Sequence, residues 1–354
     1  MTSILIFIAG AALLIYSAEK LIVYVVGAAS GLHVSVFLLA IIFTGIEFDD
    51  VALGVALNLE DLSGVALGTV FGTAISMTGI VLALAAIIAP TRVNISRDYI
   101  VLFAVAPLVM VPFILTGPLT AVHGVVLVLL FVLFIAYVAA RELRSSTPVF
   151  RNAEILEKIE VGGGAGHPSP SVAEPVEKLT SKPPFEVTVP FNRARKLPGW
   201  AGIGLAIVAL AGLILGAYAT SIGTEGILEE YAIEGALFGA TIATLVLTLE
   251  DIFLTVVPTR RGAPEIGVGN VIGSVVFGVT GKLGIILLAG GSIVVGDDVL
   301  SWHLPVLVVM TAVAAYFIYS GRLRRWHGFV LLALYVAYWV ISFTMFGEAP
   351  IEAD

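Results

Sequence analysis

Five acidic residues lie in two apolar stretches of the sequence, where a charged side chain is costly unless it has a partner or a ligand. The first stretch contains Thr-Gly-Ile-Glu-Phe-Asp-Asp at 44–50, and the second contains Val-Leu-Thr-Leu-Glu-Asp at 246–251. Acids in such stretches typically bind ions or relay protons inside a membrane. They are therefore the residues of this chain most suited to chemistry.

The two acidic segments are copies of one pattern, 201 residues apart. At this offset Asp50 aligns with Asp251, and a G-x-x-x-G pair begins eighteen residues after each of them. The paired glycines are Gly68 and Gly72 in the first copy and Gly269 and Gly273 in the second. Because G-x-x-x-G lets two helix backbones approach closely in lipid, we expect these glycines to pack helices rather than bind ligands.

A close-packed helix pair that carries acids predicts a cation site. On a regular helix Glu47 and Asp50 lie within about 60° of each other, as i,i+3 neighbours do, whereas Asp49 points elsewhere. The candidate ligands, acidic and hydroxyl, are Glu47, Asp49, Asp50, Thr73, Thr248, Glu250, Asp251 and Ser274. An oxygen-only ligand set of this kind suits calcium, magnesium, manganese or sodium.

Lys282 is the basic residue deep in the second half of the chain, and it is the candidate for charge compensation. On a regular helix it lies about 80° from Ser274. We expect its ammonium to pair with Glu250 or Asp49 and to act as a tethered cation. The alternative is snorkelling, in which the long side chain carries the ammonium to the membrane interface.

The composition places these acids in a membrane protein. The 354 residues are 59% apolar and only 12% charged, whereas soluble domains are about 45–50% apolar and about 25% charged. Apolar stretches long enough to cross a ~30 Å hydrocarbon core recur along the chain, so the lipid bilayer is its main partner. The net charge of −8 argues against a nucleic-acid partner. The absence of cysteine excludes disulfides and thiolate metal sites.

Ten membrane spans result from dividing the apolar stretches at Gly, Pro and charge clusters. They are predicted at 3–27, 33–57, 64–88, 99–117, 119–140, 199–221, 231–257, 266–291, 301–319 and 326–346. A polar segment rich in Gly and Pro separates the fifth span from the sixth and predicts a flexible tether. The predicted domains are a first five-helix repeat at 1–140, the tether at 141–197 and a second five-helix repeat at 198–354.

The basic residues predict the orientation. Sixteen of the 18 Lys and Arg follow odd-numbered spans, and basic loops face the cytoplasm. Both termini are therefore predicted outside the plasma (cell) membrane and the tether inside. Because five is odd, the two halves insert in opposite directions. The predicted fold is an all-α polytopic membrane protein with ten transmembrane helices in two inverted repeats, which is typical of secondary transporters.

These residues resemble the alpha-repeats of the calcium/cation antiporter superfamily, which includes the sodium/calcium exchangers. In that family a G-T-S-x-P-E segment on the second and seventh helices is followed by G-N-x-x-G-S-N on the third and eighth. The family's repeat glutamates correspond to Asp50 and Asp251, and its G-S pairs to Gly72-Thr73 and Gly273-Ser274. The resemblance implies exchange of a divalent cation for sodium or protons by alternating access. Calcium is the main candidate for the divalent cation, and magnesium and manganese are the alternatives. No cofactor is expected.

The chain departs from the family pattern in its charges. The proline beside each repeat glutamate is Asp49 in one repeat and Glu250 in the other, and a hydroxyl position is Glu47. A polar ligand position one turn beyond the G-S pair is Met77 in one repeat and Gly278 in the other. Carboxylate has thus moved from the third and eighth helices to the second and seventh. Ion identity and coupling ratio therefore do not follow from the resemblance.

Two other functions use paired acids inside a membrane. An intramembrane aspartyl protease has two carboxylates that share a proton and activate water. That chemistry needs only a dyad, however, and the chain lacks the G-x-G-D segment of those proteases. A passive cation channel would have a similar acidic ring, but its flux would not depend on a second ion gradient. We therefore expect a transporter and not an enzyme; no sequence pattern specifies an oligomeric state.

Overall fold

The computed structural model describes residues 2–32, 36–59, 63–144, 199–230, 248–296 and 299–346. Within these ranges, eight helical segments are long and apolar enough to cross a membrane. They are Thr2–Val25, Ala66–Ile88, Arg97–Leu115, Ala121–Glu142, Gly199–Thr220, Pro264–Gly290, Val299–Tyr319 and Arg325–Thr344. The chain is therefore a helical polytopic membrane protein.

The first half consists of short helices between two long ones. Its elements are α1 (Thr2–Leu32), α2 (Val36–Phe43), α3 (Phe48–Leu59), α4 (Ser63–Ser76), a π-helical turn (Met77–Val81), α5 (Leu82–Ile88), β1 (Thr91–Arg92), α6 (Arg97–Val105), a 3₁₀ turn (Ala106–Val109), α7 (Met110–Leu115) and α8 (Ala121–Arg144).

The second half repeats much of this order. Its elements are α9 (Gly199–Glu230), α10 (Leu249–Arg260), α11 (Pro264–Phe277), a π turn (Gly278–Lys282), α12 (Leu283–Gly290), a π turn (Val299–His303), α13 (Leu304–Tyr319), β2 (Arg322–Leu323), α14 (Arg325–Ile341) and a π turn (Ser342–Phe346).

Several predicted boundaries differ from the structure: α1 continues to Leu32 and α9 to Glu230, beyond the spans predicted at 3–27 and 199–221. The span predicted at 33–57 is not one regular helix, because the helix is interrupted between the end of α2 and the start of α3. The helix α8 continues to Arg144, four residues into the predicted tether, whose remainder lies outside the described residues. Most of the span predicted at 231–257 also lies outside them, and the description resumes at Thr248.

The elements around the acidic segments recur at the sequence offset of 201 residues. The helix α10 begins and ends 201 residues after α3, and α11 does so after α4. The π turns that follow α4 and α11 are separated by the same offset. Two antiparallel contacts also join the halves: β1 pairs with β2, and Leu119 bridges Ile293. The duplication is therefore a feature of the backbone as well as of the residue pattern.

The two spans that follow the acidic segments form the centre of the molecule. Ala66–Ile88 is 72% buried and Pro264–Gly290 is 89% buried, whereas the other six spans are 28–44% buried. Helices that are apolar all round are buried in this way, or face lipid on the outside of a bundle. The acidic segments therefore lie against the most enclosed helices.

Small residues allow the closest helix contacts. The helices α1 and α9 run antiparallel, since added side-chain atoms at Gly223, Gly216 and Gly202 would meet Phe7, Leu14 and Ala28 respectively. On α11, an atom added to Gly269 would meet Phe37 of α2. One added to Gly273 would lie 3.0 Å from the backbone of Gly45, directly after α2. This second G-x-x-x-G pair thus faces the helix that leads into the first acidic segment.

Replacing Gly45 with alanine is expected to destabilise the protein, because the new Cβ would lie 2.7 Å from the Cα of Gly273. Overpacking of this kind costs about 1–3 kcal/mol. The matched control is Gly204→Ala on α9, where an added Cβ has no atom of the described chain within 4 Å. Thermal unfolding in detergent should give a lower Tm for Gly45→Ala than for Gly204→Ala; equal Tm values would contradict the close contact.

Candidate cation site

The first acidic segment lies at an interruption between two helices. At the end of α2, both the backbone N–H and the hydroxyl of Thr44 donate to the carbonyl of Ala40, at 2.8 and 2.7 Å. The next helix begins when the carbonyl of Glu47 accepts the N–H of Val51 at 3.1 Å. Glu47 therefore precedes α3. The sequence had predicted one regular helix through Glu47 and Asp50, and the structure interrupts it. The helix is interrupted here even though the residue at the position of the family's proline is Asp49.

The second acidic segment begins a helix in the same way. The carbonyl of Thr248 accepts the N–H of Ile252 at 3.0 Å, so Glu250 and Asp251 lie in the first turn of α10. Asp50 has the same position in α3. Acids in a first helical turn are stabilised by the positive end of the helix dipole. Each half therefore presents a helix N-terminus with an Asp as its third residue.

Both acidic segments line one cavity. It has a volume of about 30 Å³, enough for a dehydrated cation or one or two water molecules. Its lining consists of Glu47, Asp50, Leu53, Thr69, Gly72, Thr73, Ser76, Thr248, Glu250 and Asp251. The four acids in this lining are only 5–6% exposed. Asp50 and Asp251, which the sequence aligned, thus face the same small volume.

Lys282 reaches this acidic cluster and is completely buried, at 0% exposure. Its Nζ lies 2.5 Å from Oδ2 of Asp50 and 3.6 Å from Oε2 of Glu47. It also donates to the hydroxyl of Thr73 at 2.9 Å. The snorkelling alternative is therefore wrong, because the ammonium points into the protein.

The ion pairs that the structure describes for Lys282 are with Asp50 and Glu47, whereas the sequence predicted Glu250 or Asp49. The expectation used the angle of a regular α-helix, but Lys282 ends the π turn that begins at Gly278. A π turn contains more residues than an α turn, so it changes the direction of every side chain that follows. The observed ion pairs are with Asp50 and Glu47 of the other half. The side chain of Asp49 is outside the described structure.

Asp251 is held by a neutral group. The amide of Asn270 donates to Oδ1 of Asp251 at 3.2 Å and to the hydroxyl of Thr255 at 3.1 Å. Asn270 is completely buried. The two aligned aspartates thus have different environments, with an ammonium beside Asp50 and an amide beside Asp251.

The sequence and fold of the chain match known proteins over nearly its whole length. The model of the family described as "sodium/calcium exchanger protein" matches residues 2–140 and 201–344. The chain belongs to the sodium/calcium exchanger family. The resemblance inferred from the acidic repeats is confirmed, and this family member is a membrane cation antiporter. Its family is one of transporters rather than enzymes.

Two relatives and one solved structure are similar to the chain. An uncharacterized membrane protein of Methanocaldococcus jannaschii is 23% identical over 339 residues, which cover 93% of this chain and 94% of the relative. The sodium/calcium exchanger MaX1 of Methanosarcina acetivorans is 30% identical over 139 residues, 37% of this chain and 39% of that protein. The solved structure of the sodium-calcium exchanger NCX_Mj matches the fold with a TM-score of 0.71, at 20% identity, over 98% of both chains.

Most of the predicted ligands of this family member come together. Six line the cavity: Glu47, Asp50, Thr73, Thr248, Glu250 and Asp251. Ser274 is 1% exposed and is not part of the described lining. Its hydroxyl has no hydrogen-bond partner among the described residues.

The sequence analysis did not identify two hydroxyl residues of the lining, Thr69 and Ser76. The available signal was the alignment of Thr69 with Asn270, which marks a polar position in both copies. Among the described residues, no three acidic or histidine side chains are close enough together to hold one metal ion. A cation in the cavity would therefore need neutral oxygens beside its carboxylates, and these hydroxyls provide them.

The buried pair between Asp50 and Lys282 should show strong energetic coupling. Asp50→Asn and Lys282→Met are each expected to destabilise the protein by about 3–5 kcal/mol, because each leaves a buried charge without its main partner. The double variant should lose less than the sum of the two. The free energy of unfolding in detergent, measured for all four proteins, gives the coupling.

The control cycle uses Asp98 and Arg141, whose 2.6 Å ion pair has side chains 33% and 48% exposed. Exposed pairs typically contribute up to about 1 kcal/mol. A coupling for Asp50 and Lys282 no larger than that of the control would show that the buried contact does not form in solution.

Proposed function

We propose that this family member exchanges a divalent cation, with calcium as the first candidate, for sodium by alternating access. The observation that carries the proposal is the single cavity lined by acids from both halves. A site between two related halves can open to either side of the membrane as one half moves against the other. Protons are the alternative driving ion.

The proposed ligands are the oxygens that line the cavity. Glu250 and Asp251 supply negative charge from the second half, and Thr248, Thr69 and Ser76 add neutral oxygen. Glu47, Asp50 and Thr73 complete the lining from the first half, where the Lys282 ammonium contacts them, and Asp49 and Ser274 are further candidate ligands. Calcium takes six to eight oxygen ligands in flexible geometry, whereas magnesium keeps several waters. A small cavity with many protein oxygens and little room for water therefore favours calcium over magnesium, with manganese as a further alternative.

The proposal includes the arrangement of the whole chain. It has ten transmembrane helices in two inverted five-helix repeats, at 1–140 and 198–354, joined by a cytoplasmic tether at 141–197. The recurrence of element bounds at 201 residues and the antiparallel contacts between the halves support this arrangement. The distribution of basic residues supports a plasma-membrane protein with both termini outside.

Flux into proteoliposomes tests the proposed exchange. We expect uptake of ⁴⁵Ca²⁺ into vesicles loaded with sodium, and Asp251→Asn should abolish it because a carboxylate of the cavity is lost. The matched control is Asp98→Asn, which changes a half-buried acid outside the cavity and should retain uptake. Magnesium, manganese and an imposed pH gradient are tested in separate arms.

Three results would contradict parts of this proposal. Uptake that does not depend on any second ion gradient would indicate a channel. Uptake driven only by a pH gradient would replace sodium with protons. Full uptake by Asp251→Asn would remove that residue from the site.

A further inference from the structure

The 201-residue offset defines two equivalent groups of three oxygen-bearing side chains. The first trio is Glu47, Asp50 and Thr73, and the second trio is Thr248, Asp251 and Ser274. In each trio one residue precedes a helix, the Asp is the third residue of that helix, and the hydroxyl comes from the helix after it. Two equivalent positions for a cation would therefore be expected.

The first trio already holds a cation. The Lys282 ammonium contacts all three side chains, at 2.5 Å from Asp50, 2.9 Å from Thr73 and 3.6 Å from Glu47. These oxygens belong to both carboxylate and hydroxyl groups, the ligand types that suit sodium or calcium. A lysine ammonium carries one positive charge and three donors. It therefore takes the place of a monovalent cation, except that it is covalently attached.

The second trio has no such lysine at the equivalent position. Lys282 ends its π turn, and the residue that ends the π turn of the first half is Val81. Val81 is buried and uncharged. Asp251 instead accepts the neutral amide of Asn270. The hydroxyl of Ser274, which corresponds to Thr73, is 1% exposed and has no hydrogen-bond partner among the described residues.

We propose that Lys282 is a tethered cation that permanently fills one of two equivalent cation positions, so that transported cations use the position of Thr248, Asp251 and Ser274. This inference rests on the proposed exchange function and adds a residue that sets how many cations the site accepts. A covalently attached ammonium cannot leave with the substrate. The protein therefore carries one cation position fewer per cycle than its duplicated architecture provides.

Counting bound cations tests the proposal. Purified protein is equilibrated with saturating ²²Na⁺, or with saturating ⁴⁵Ca²⁺, and bound ions per chain are measured. The test variant is Lys282→Val, because the equivalent position of the first half already holds a buried valine. We expect Lys282→Val to bind one more cation per chain than the wild type. The matched control is Lys282→Arg, which keeps a positive charge and should bind the wild-type number.

The outcomes separate this inference from the proposed function. Wild-type exchange in proteoliposomes together with an unchanged cation count in Lys282→Val would overturn the tethered-cation role alone. An extra bound cation in Lys282→Val without sodium-driven divalent exchange by the wild type would support that role and overturn the exchange function. A wild type that binds neither ion would overturn both.

A second pair of variants covers the case in which Lys282→Val does not fold. Ser274→Ala removes a proposed ligand of the open position, whereas Thr73→Ala removes a contact of the lysine. Loss of a residue that only orients a ligand typically lowers metal affinity about 10–100-fold, so Ser274→Ala, which removes a proposed ligand itself, should weaken ⁴⁵Ca²⁺ binding at least about tenfold. Thr73→Ala should have a smaller effect. An equal or larger effect of Thr73→Ala would overturn the assignment of the open position.

Discussion

Neutralisation of buried carboxylates is the constraint on which the rest of this structure depends. Four acids that are 5–6% exposed line a cavity of about 30 Å³ within a helical membrane protein. Acids within a bilayer pair with one another, with other groups or with ions. Here Asp50 is neutralised by Lys282, and Asp251 accepts an amide hydrogen bond. Two equivalent aspartates thus have different neighbours, an ammonium and an amide, and this difference determines where the cavity can bind a further cation.

The duplicated backbone explains why the acids meet. Each half begins a helix at its acidic segment and continues into a central helix that ends in a π turn. The close contact between Gly45 and Gly273 brings the interruption of one half against the central helix of the other. The same crossing lets Lys282 of the second half reach Asp50 of the first. Packing between the halves therefore determines the chemistry of the cavity.

The sequence predicted the membrane environment, the 201-residue duplication and the family, because these depend on composition and local pattern. It did not predict the interruption before α3 or the ion pairs of Lys282 with Asp50 and Glu47. Both depend on irregular backbone: the interruption lies where Gly45 contacts a helix more than 200 residues away, and a π turn precedes the lysine side chain. A rule of ~100° per residue applies only to a regular helix. Thr69 and Ser76 were missed because hydroxyl residues are common in helices that bind nothing.

We propose that Lys282 fills one of the two equivalent cation positions and that transported cations use the position of Thr248, Asp251 and Ser274. Anomalous diffraction from crystals soaked in strontium, an electron-rich analogue of calcium, tests it most directly. We predict an anomalous peak beside Thr248, Asp251 and Ser274, with the Lys282 ammonium still on Asp50. A peak between Glu47, Asp50 and Thr73 with the lysine displaced, or no peak in the cavity, would contradict it.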